Sequence, residues 1–325
     1  MNYQYVLLKV LPLLPAVLML PANTCAQTYP VKTVRIVVPF PAGAGADTTT
    51  RLFTPKLTEA LAQQFIVDNR AGAAGNIGAE AVARATADGY TLLTAPASLA
   101  SSRSLYKNLS FDLARDFEPA AMLASAPFVL AVHPSVPAKS VQELIAFAKS
   151  RPGQLNFAST GIGGVNHLAA ELFKHMAGID IVHVPYKGTA TAIPDLIGGQ
   201  VSMMFTSTLS SLPHVKAGRL RALAITSAKR SLAAPELPTV AESGLGGYES
   251  STWFALLAPA GTPREIVTRL NATIVAIGQT PEIRDRLVAQ GAEPLGGTPE
   301  QVAAFIRSEI EKWGKAVAIS GARAE

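Results

Sequence analysis

The chain has 325 residues, 49% of them hydrophobic and 16% charged, which excludes a disordered chain and supplies enough apolar side chain for two lobes. Its formal charge of +5 is spread over separated residues such as Lys149, Arg151, Arg219, Arg221, Lys229 and Arg230. No basic block of the kind that binds nucleic acid is present, and the excess reads as a mild attraction for anions.

In chain order, Lys9 precedes an apolar run over 10–20, broken by Pro12 and Pro15, and a polar stretch ending at Gln27. This is the pattern of a secretory signal over 1–26, with cleavage expected after Ala26, where Thr24, Cys25 and Ala26 supply small residues. Cys25 also invites lipidation, but Asn23 and Thr24 stand where aliphatic and very small residues would be expected. Cleavage after Ala26 removes the chain's only cysteine, so no disulfide is expected in the mature protein. Elsewhere no segment reaches the ~20 uninterrupted apolar residues of a membrane helix, and a soluble, exported chain is expected.

Residues 34–38 form a β-branched run, closed by Pro39 and Pro41, after which Leu52, Leu57, Leu61 and Phe65 recur at helical spacing. The same order of strand, small-residue loop and helix returns at 90–102, 155–164 and 181–189. Such repetition predicts α/β lobes with parallel, doubly wound sheets, whose ligands sit beyond the carboxyl ends of the strands. Helix starts are predicted at Ser140 with Glu143, at Thr262-Pro263 with Glu265, and at Thr298-Pro299 with Gln301. Over 302–318, Val302, Phe305, Ile306, Ile310, Trp313 and Val317 share one face of a long amphipathic helix.

Two apolar strands, 126–134 and 252–260, both end in proline. If the chain leaves one lobe at the first and returns at the second, a discontinuous lobe (27–126 plus 250–325) surrounds an inserted lobe (127–249). Each lobe is then a sheet flanked by helices, and the two crossovers act as a hinge that closes around a ligand.

Within these elements, the loop around Gly43, Ala44 and Gly45 lets backbone amides approach an anion near a helix N-terminus. Asp47 reads as a cap of the following helix before a ligand contact. Tyr186 and Lys187, at the end of a strand, offer a phenol and an ammonium to a polar ligand; a packing tyrosine beside a solvated lysine is the plainer alternative. His133, His167, His175, His183 and His214 show no H-E-x-x-H pattern, so no metal site is expected. No G-x-S-x-G elbow or P-loop is present, and Glu143, Glu171 and Asp195 read as exposed or capping carboxylates, so neither catalysis nor a cofactor is expected. Gly161-Ile162-Gly163 begins like a dinucleotide fingerprint but lacks its third glycine and its acidic partner.

The segments Val37-Val38-Pro39-Phe40-Pro41, Asp68-Asn69-Arg70, Gly75-Asn76-Ile77-Gly78-Ala79, Asp88-Gly89-Tyr90-Thr91-Leu92-Leu93, His183-Val184-Pro185-Tyr186-Lys187-Gly188, Leu220-Arg221-Ala222-Leu223-Ala224 and Ala258-Pro259-Ala260-Gly261-Thr262-Pro263 together resemble the Bug-type receptors of tripartite tricarboxylate transporters. The resemblance spans the mature chain. It implies a two-lobed Venus-flytrap fold of type II-like character, a periplasmic location, and capture of one small molecule, commonly a carboxylate. It also implies partnership with one large and one small integral membrane subunit; a monomer is expected. By the same resemblance the binding residues are Phe40, Ala42, Gly43, Ala44, Gly45 and Asp47 in the first loop and Ser159, Thr160, Gly161, Gly163, Gly164 and His167 in the loop that opens a helix; Ser98 is a candidate in another cleft loop, whose surroundings from Ala95 to Arg103 depart from the family pattern. Tyr186, Lys187 and Thr206 complete the set, with His167 read as packing first. Where many members carry an aspartate for a ligand ammonium, Thr206 has no charge, which points away from amino acids and towards a carboxylate, aromatic acid or neutral polar ligand. A receptor that presents its closed form to a signalling partner, and a hydrolase or isomerase without signature, are the alternatives.

Overall fold

The computed structural model describes residues 29–323, so the expected signal segment and Cys25 lie outside the described residues. The chain runs through β1 (Val34–Val38), α1 (Gly45–Leu61), β2 (Phe65–Asn69), α2 (Asn76–Ala83), β3 (Thr91–Pro96) and α3 (Ser98–Leu105) into the long β4 (Phe117–Val132). It continues through α4 (Val141–Ser150), β5 (Asn156–Ser159), α5 (Val165–Ala177), β6 (Val182–Pro185), α6 (Thr189–Ile197), β7 (Met203–Ser207), α7 (Thr208–Lys216) and β8 (Arg221–Ile225). It returns through β9 (Ser251–Pro259), α8 (Arg264–Gly278), α9 (Pro281–Ala289), β10 (Glu293–Gly296) and α10 (Pro299–Ser320).

One sheet has β1 parallel to β2 and β3, then β9 antiparallel between β3 and β4, with β10 on β4. The other has β5 parallel to β6 and β7, with β4 antiparallel to both β7 and β8. The βα repeats therefore make parallel sheets, as the sequence predicts, but the strands that pass between the sheets are antiparallel. β4 belongs to both: Phe117 to Pro127 pair with β9, Phe128 to Val132 with β7, and Val129 to Val132 with β8. A chain that leaves on β4 and comes back on β9 must run the second way along the first.

Alternation along β1 shows why the first sheet is covered on both faces. Val34, Ile36 and Val38 pack with Phe53 of α1 and Leu270 of α8, while Val37 faces Leu93, Trp253 and the α10 residues Val302, Ile306 and Trp313. The second sheet has its own two cores, one of Leu130, Phe157, Phe173 and Phe205 and one of Val129, Ala158, Met204 and Leu196. α10 is fixed at depth: the indole N–H groups of Trp253 and Trp313 both donate to Glu309 Oε2, at 2.7 and 2.8 Å, and Lys312 pairs with the same carboxylate. A buried charge is tolerable only when so satisfied.

Local predictions meet three corrections. Phe65 does not extend α1 but starts β2, because Ala62 adopts a left-handed φ of 51° that stops the helix. Thr262 does not cap α8; its hydroxyl turns back to the Pro259 carbonyl, and the helix begins after Pro263. At α4, Ser140 does accept the Glu143 N–H, but the Glu143 carboxylate reaches Lys139 N and not the cap residue itself. Only Thr298 and Gln301 of the three form the full reciprocal box.

Besides the crossover strands, two contacts tie the sheets' elements together near β10. Glu293 Oε1 accepts from the Ser231 hydroxyl at 2.8 Å and from Leu232 N–H at 2.7 Å. Beside it, Gly291, at φ +74°, sits so close to α7 that a Cβ there would lie 1.5 Å from Thr208 Oγ1.

Candidate ligand-binding cleft

A cleft of about 760 Å³ opens between the sheets, at the carboxyl ends of β1, β3, β5, β6 and β7. Helices α1 behind Ala44, α5 behind Gly164 and α6 behind Gly188 are among those that enter its wall by their N-termini without a side-chain cap. The first-turn N–H groups of such helices have no intrahelical acceptor, and the helix dipole adds partial positive charge. Lys187 is the one charged side chain among the described residues of the lining. Anions are thereby favoured.

The first loop is braced from behind. Asp47, 2% exposed, accepts from Gly43 N–H at 2.8 Å, from Asn69 Nδ2 at 2.9 Å and from Arg51 Nε at 2.9 and 3.0 Å. Asn69 Nδ2 also donates to the Phe40 carbonyl, and Arg51 Nη2 to Asn69 Oδ1. Burial pushes the Asp47 carboxyl upward, but the bonds from Arg51, Gly43 and Asn69 outweigh it and hold the group below its ordinary range. Asp47 stands third in the helix, where it braces the loop that leads into α1, and the N-cap position belongs to Ala44.

The second loop is equally constrained. Ser159 Oγ accepts Gly161 N–H at 3.1 Å and lies 2.6 Å from His183 Nε2. Asn166 Oδ1 accepts from Thr160 Oγ1 at 2.9 Å, and His167 Nδ1 accepts from Gly163 N–H at 3.1 Å. Gly163, at φ +76°, approaches α3 so closely that a Cβ would stand 2.9 Å from Leu105 Cδ1.

Of the sequence-derived candidates, Phe40, Ala44, Gly45, Ser98, Thr160, Gly161, Gly163, Gly164, Lys187 and Thr206 line the cleft. Ala42, Gly43, Asp47, Ser159, His167 and Tyr186 lie outside the lining. The Tyr186 phenol instead donates to Asp195 Oδ2 at 2.7 Å, and burial, that bond and the aspartate's charge push its pKa up to about 12. Asp195, read from sequence as an exposed or capping carboxylate, instead holds the phenol, and Glu171, read in the same way, is only 8% exposed.

Sequence reasoning missed Ala46, Ala74, Ser101, Ser102, Tyr106, Phe128, Phe205, Thr252 and Phe254. Phe128, Thr252 and Phe254 lie on the two strands already singled out as crossovers, and a strand passing between lobes necessarily passes their cleft. Thr206 is 2% exposed and its Oγ1 has no hydrogen-bond partner, so the wall holds a buried polar group turned towards nothing in the protein. Among the described residues no cluster of three or more His, Cys, Asp or Glu could hold a metal ion, and no helix is long and apolar enough to cross a membrane.

The family model described as "Tripartite tricarboxylate transporter family receptor" matches residues 49–321. Protein BugT of Bordetella pertussis is 39% identical over 319 residues, covering 98% of each chain. A Pseudomonas sp. protein from the tcbD-tcbE intergenic region is 39% identical, over 93% of this chain and 91% of its own length. Among solved structures, an R. palustris protein with adipate is 40% identical with a TM-score of 0.77, over 91% of this chain and 99% of that one. MatC from Rhodopseudomonas palustris with bound malate is 32% identical with a TM-score of 0.73, over 89% and 100%. The periplasmic binding protein BugD is 33% identical with a TM-score of 0.74, over 91% and 100%.

Proposed function

The chain belongs to the tripartite tricarboxylate transporter receptor family, and from that premise we propose that it captures a small organic carboxylate between its lobes in the periplasm. It then hands the ligand to integral membrane subunits of a tripartite tricarboxylate-type transporter, as a receptor and not as a catalyst. The observation that carries this reading is the convergence of the uncapped N-termini of α1, α5 and α6 on one cleft whose charged lining side chain is Lys187. A carboxylate suits such amides, and adipate and malate are the ligands named with two of the similar structures. A ligand ammonium would face the same positive field with no carboxylate in the described lining to receive it.

In this reading the outer lobe comprises 27–126 and 250–325, the inserted lobe 127–249, and the lobes close about the crossovers. At the crossing, Phe128 N–H donates to Thr226 Oγ1 at 2.7 Å, and the backbone bonds Thr226 N to Phe128 O and Ser250 N to Thr226 O join the three segments that meet there.

Thermal melts with adipate, malate, tricarboxylates, aromatic acids and amino acids test the proposal, because a ligand that binds only the folded form raises the melting temperature by mass action. A shift with one or more carboxylates, no shift with amino acids, and intact ligand afterwards is the expected result. Consumption of the ligand would overturn the receptor reading, and shifts confined to amino acids would overturn the carboxylate assignment.

A further inference from the structure

Beneath the second cleft loop lies a pair of histidines for which ligand contact supplies no role. The rings of His167, in the first turn of α5, and His183, on β6, stack with centroids 3.9 Å apart and planes 21° from parallel. Phe157 packs against both rings, with centroids 4.8 Å from His183 and 6.2 Å from His167 and planes 19° and 14° from theirs. Each histidine holds one point of the loop. His167 Nδ1 accepts Gly163 N–H at 3.1 Å, and His183 Nε2 meets Ser159 Oγ at 2.6 Å, the oxygen that accepts Gly161 N–H.

Gly161 and Gly163, at φ +134° and +76°, are the loop's two left-handed positions, and they set the path into the free amides of α5. The Gly163 bond demands a lone pair on Nδ1, so His167 must be neutral with its proton on Nε2, towards Glu171 Oε1 at 3.8 Å. A proton on Nδ1 would set two donors against each other.

We propose that His167 and His183 are positioning residues that keep the anion loop in its binding shape only while His167 is neutral, so that ligand capture weakens as the medium turns acid. The ligand half of this statement rests on the carboxylate-receptor reading; the loop half does not.

The surroundings favour the neutral pair. Burial, then the charges of His183 and Lys174, lower His167 to about 4, and burial followed by Lys174 lowers His183. Glu171 offers a weak counter-charge, since burial raises its own carboxyl. Charged groups on the neighbouring elements are engaged elsewhere: Glu309 of α10 with both indoles and Lys312, Arg103 of α3 with Asp112, and Asp195 of α6 with Tyr186.

The test uses 15N-labelled protein without ligand, following the Gly161 and Gly163 amides and the His167 ring from pH 7.5 down to 3, alongside His167→Asn and His167→Phe. Asparagine keeps an acceptor near the Nδ1 position and does not titrate; phenylalanine keeps the stack but offers no acceptor. The expected result is that the Gly163 amide moves with the His167 ring in the native protein and stays still in His167→Asn. Adipate titrated at pH 7.5 should bind His167→Phe at least tenfold more weakly than the native protein, with His167→Asn within threefold of it. A Gly163 amide that ignores the His167 titration, or a His167→Phe variant that binds adipate as tightly as the native chain, overturns the proposal. Adipate binding to none of the proteins would count against adipate as a ligand, while the amide titration, which needs no ligand, still decides the role of the histidines.

Discussion

Among the described lining residues, Thr206 alone carries a buried side-chain polar atom without a hydrogen-bond partner. The Thr206 hydroxyl is buried and unpartnered, a state that costs about 1–3 kcal/mol wherever no acceptor or donor arrives. Thr206→Val should therefore leave the ligand-free protein as stable or up to about 1 kcal/mol more stable in thermal melts, while weakening the best carboxylate about tenfold by calorimetry. Unchanged affinity would make Thr206 part of the wall's shape only. Asp47 behaves differently, because its carboxylate serves the loop and not the ligand. Asp47→Asn should cost about 1–2 kcal/mol, the loss of charge-assisted bonds discounted for the half-exposed Arg51. Since its folded pKa is depressed, that contribution is present above the unfolded value of about 3.9 and is lost as pH falls through the lower folded value. Melts from pH 8 to 3 should show the difference between native and variant constant down to about pH 5 and shrinking below about pH 4. Tyr186 marks the limit of reading such residues from sequence: residue type and place favoured a ligand contact, but Asp195, nine positions on, captures the phenol, and the direction of a side chain depends on the turn of helix that follows it.

At the scale of elements, the repeated strand, loop and helix was legible because each strand ends in proline or a small residue and each helix resumes with apolar spacing. β1 is found at Val34–Val38, where the β-branched run predicts it. What local pattern could not supply was the antiparallel order at the sheets' centre, which is settled by pairings such as Leu93 with Leu257 that no short window contains. Nor could it supply the use of Thr262, whose hydroxyl has the Pro259 carbonyl within reach and takes it instead of the helix. The loop before α5 shows how tightly neighbouring elements set one another. Gly163→Ala places a methyl 2.9 Å from Leu105 Cδ1 at a φ of +76°, and should destabilise by about 1–3 kcal/mol and weaken ligand binding. Adding Leu105→Ala relieves the clash but not the backbone strain, so the double variant should recover only part of the affinity in calorimetry.

For the molecule as a whole, the expected motion is closure of two lobes about β4 and the start of β9, and X-ray scattering reports it. Addition of a ligand that raises the melting temperature should reduce the radius of gyration of the native protein. Gly291→Ala should act oppositely: its methyl has no room against Thr208, which wedges the α9–β10 turn away from α7 and should leave a larger radius that ligand restores only in part. An unchanged radius in both experiments would mean that ligand enters without movement of the lobes. The sharing of β4 between sheets also imposes an order of assembly. During synthesis β3 emerges long before β9, its neighbour in the sheet, whereas β5, β6 and β7 follow one another closely and can pair at once. The later-numbered half of β4 can therefore find its partners while the earlier half waits with β3 for the C-terminal third of the chain. Refolding should show a fast phase from the central segment and a slow one limited by long-range pairing, and a truncation before Ser251 should leave β3 as an open edge ready to pair with another chain.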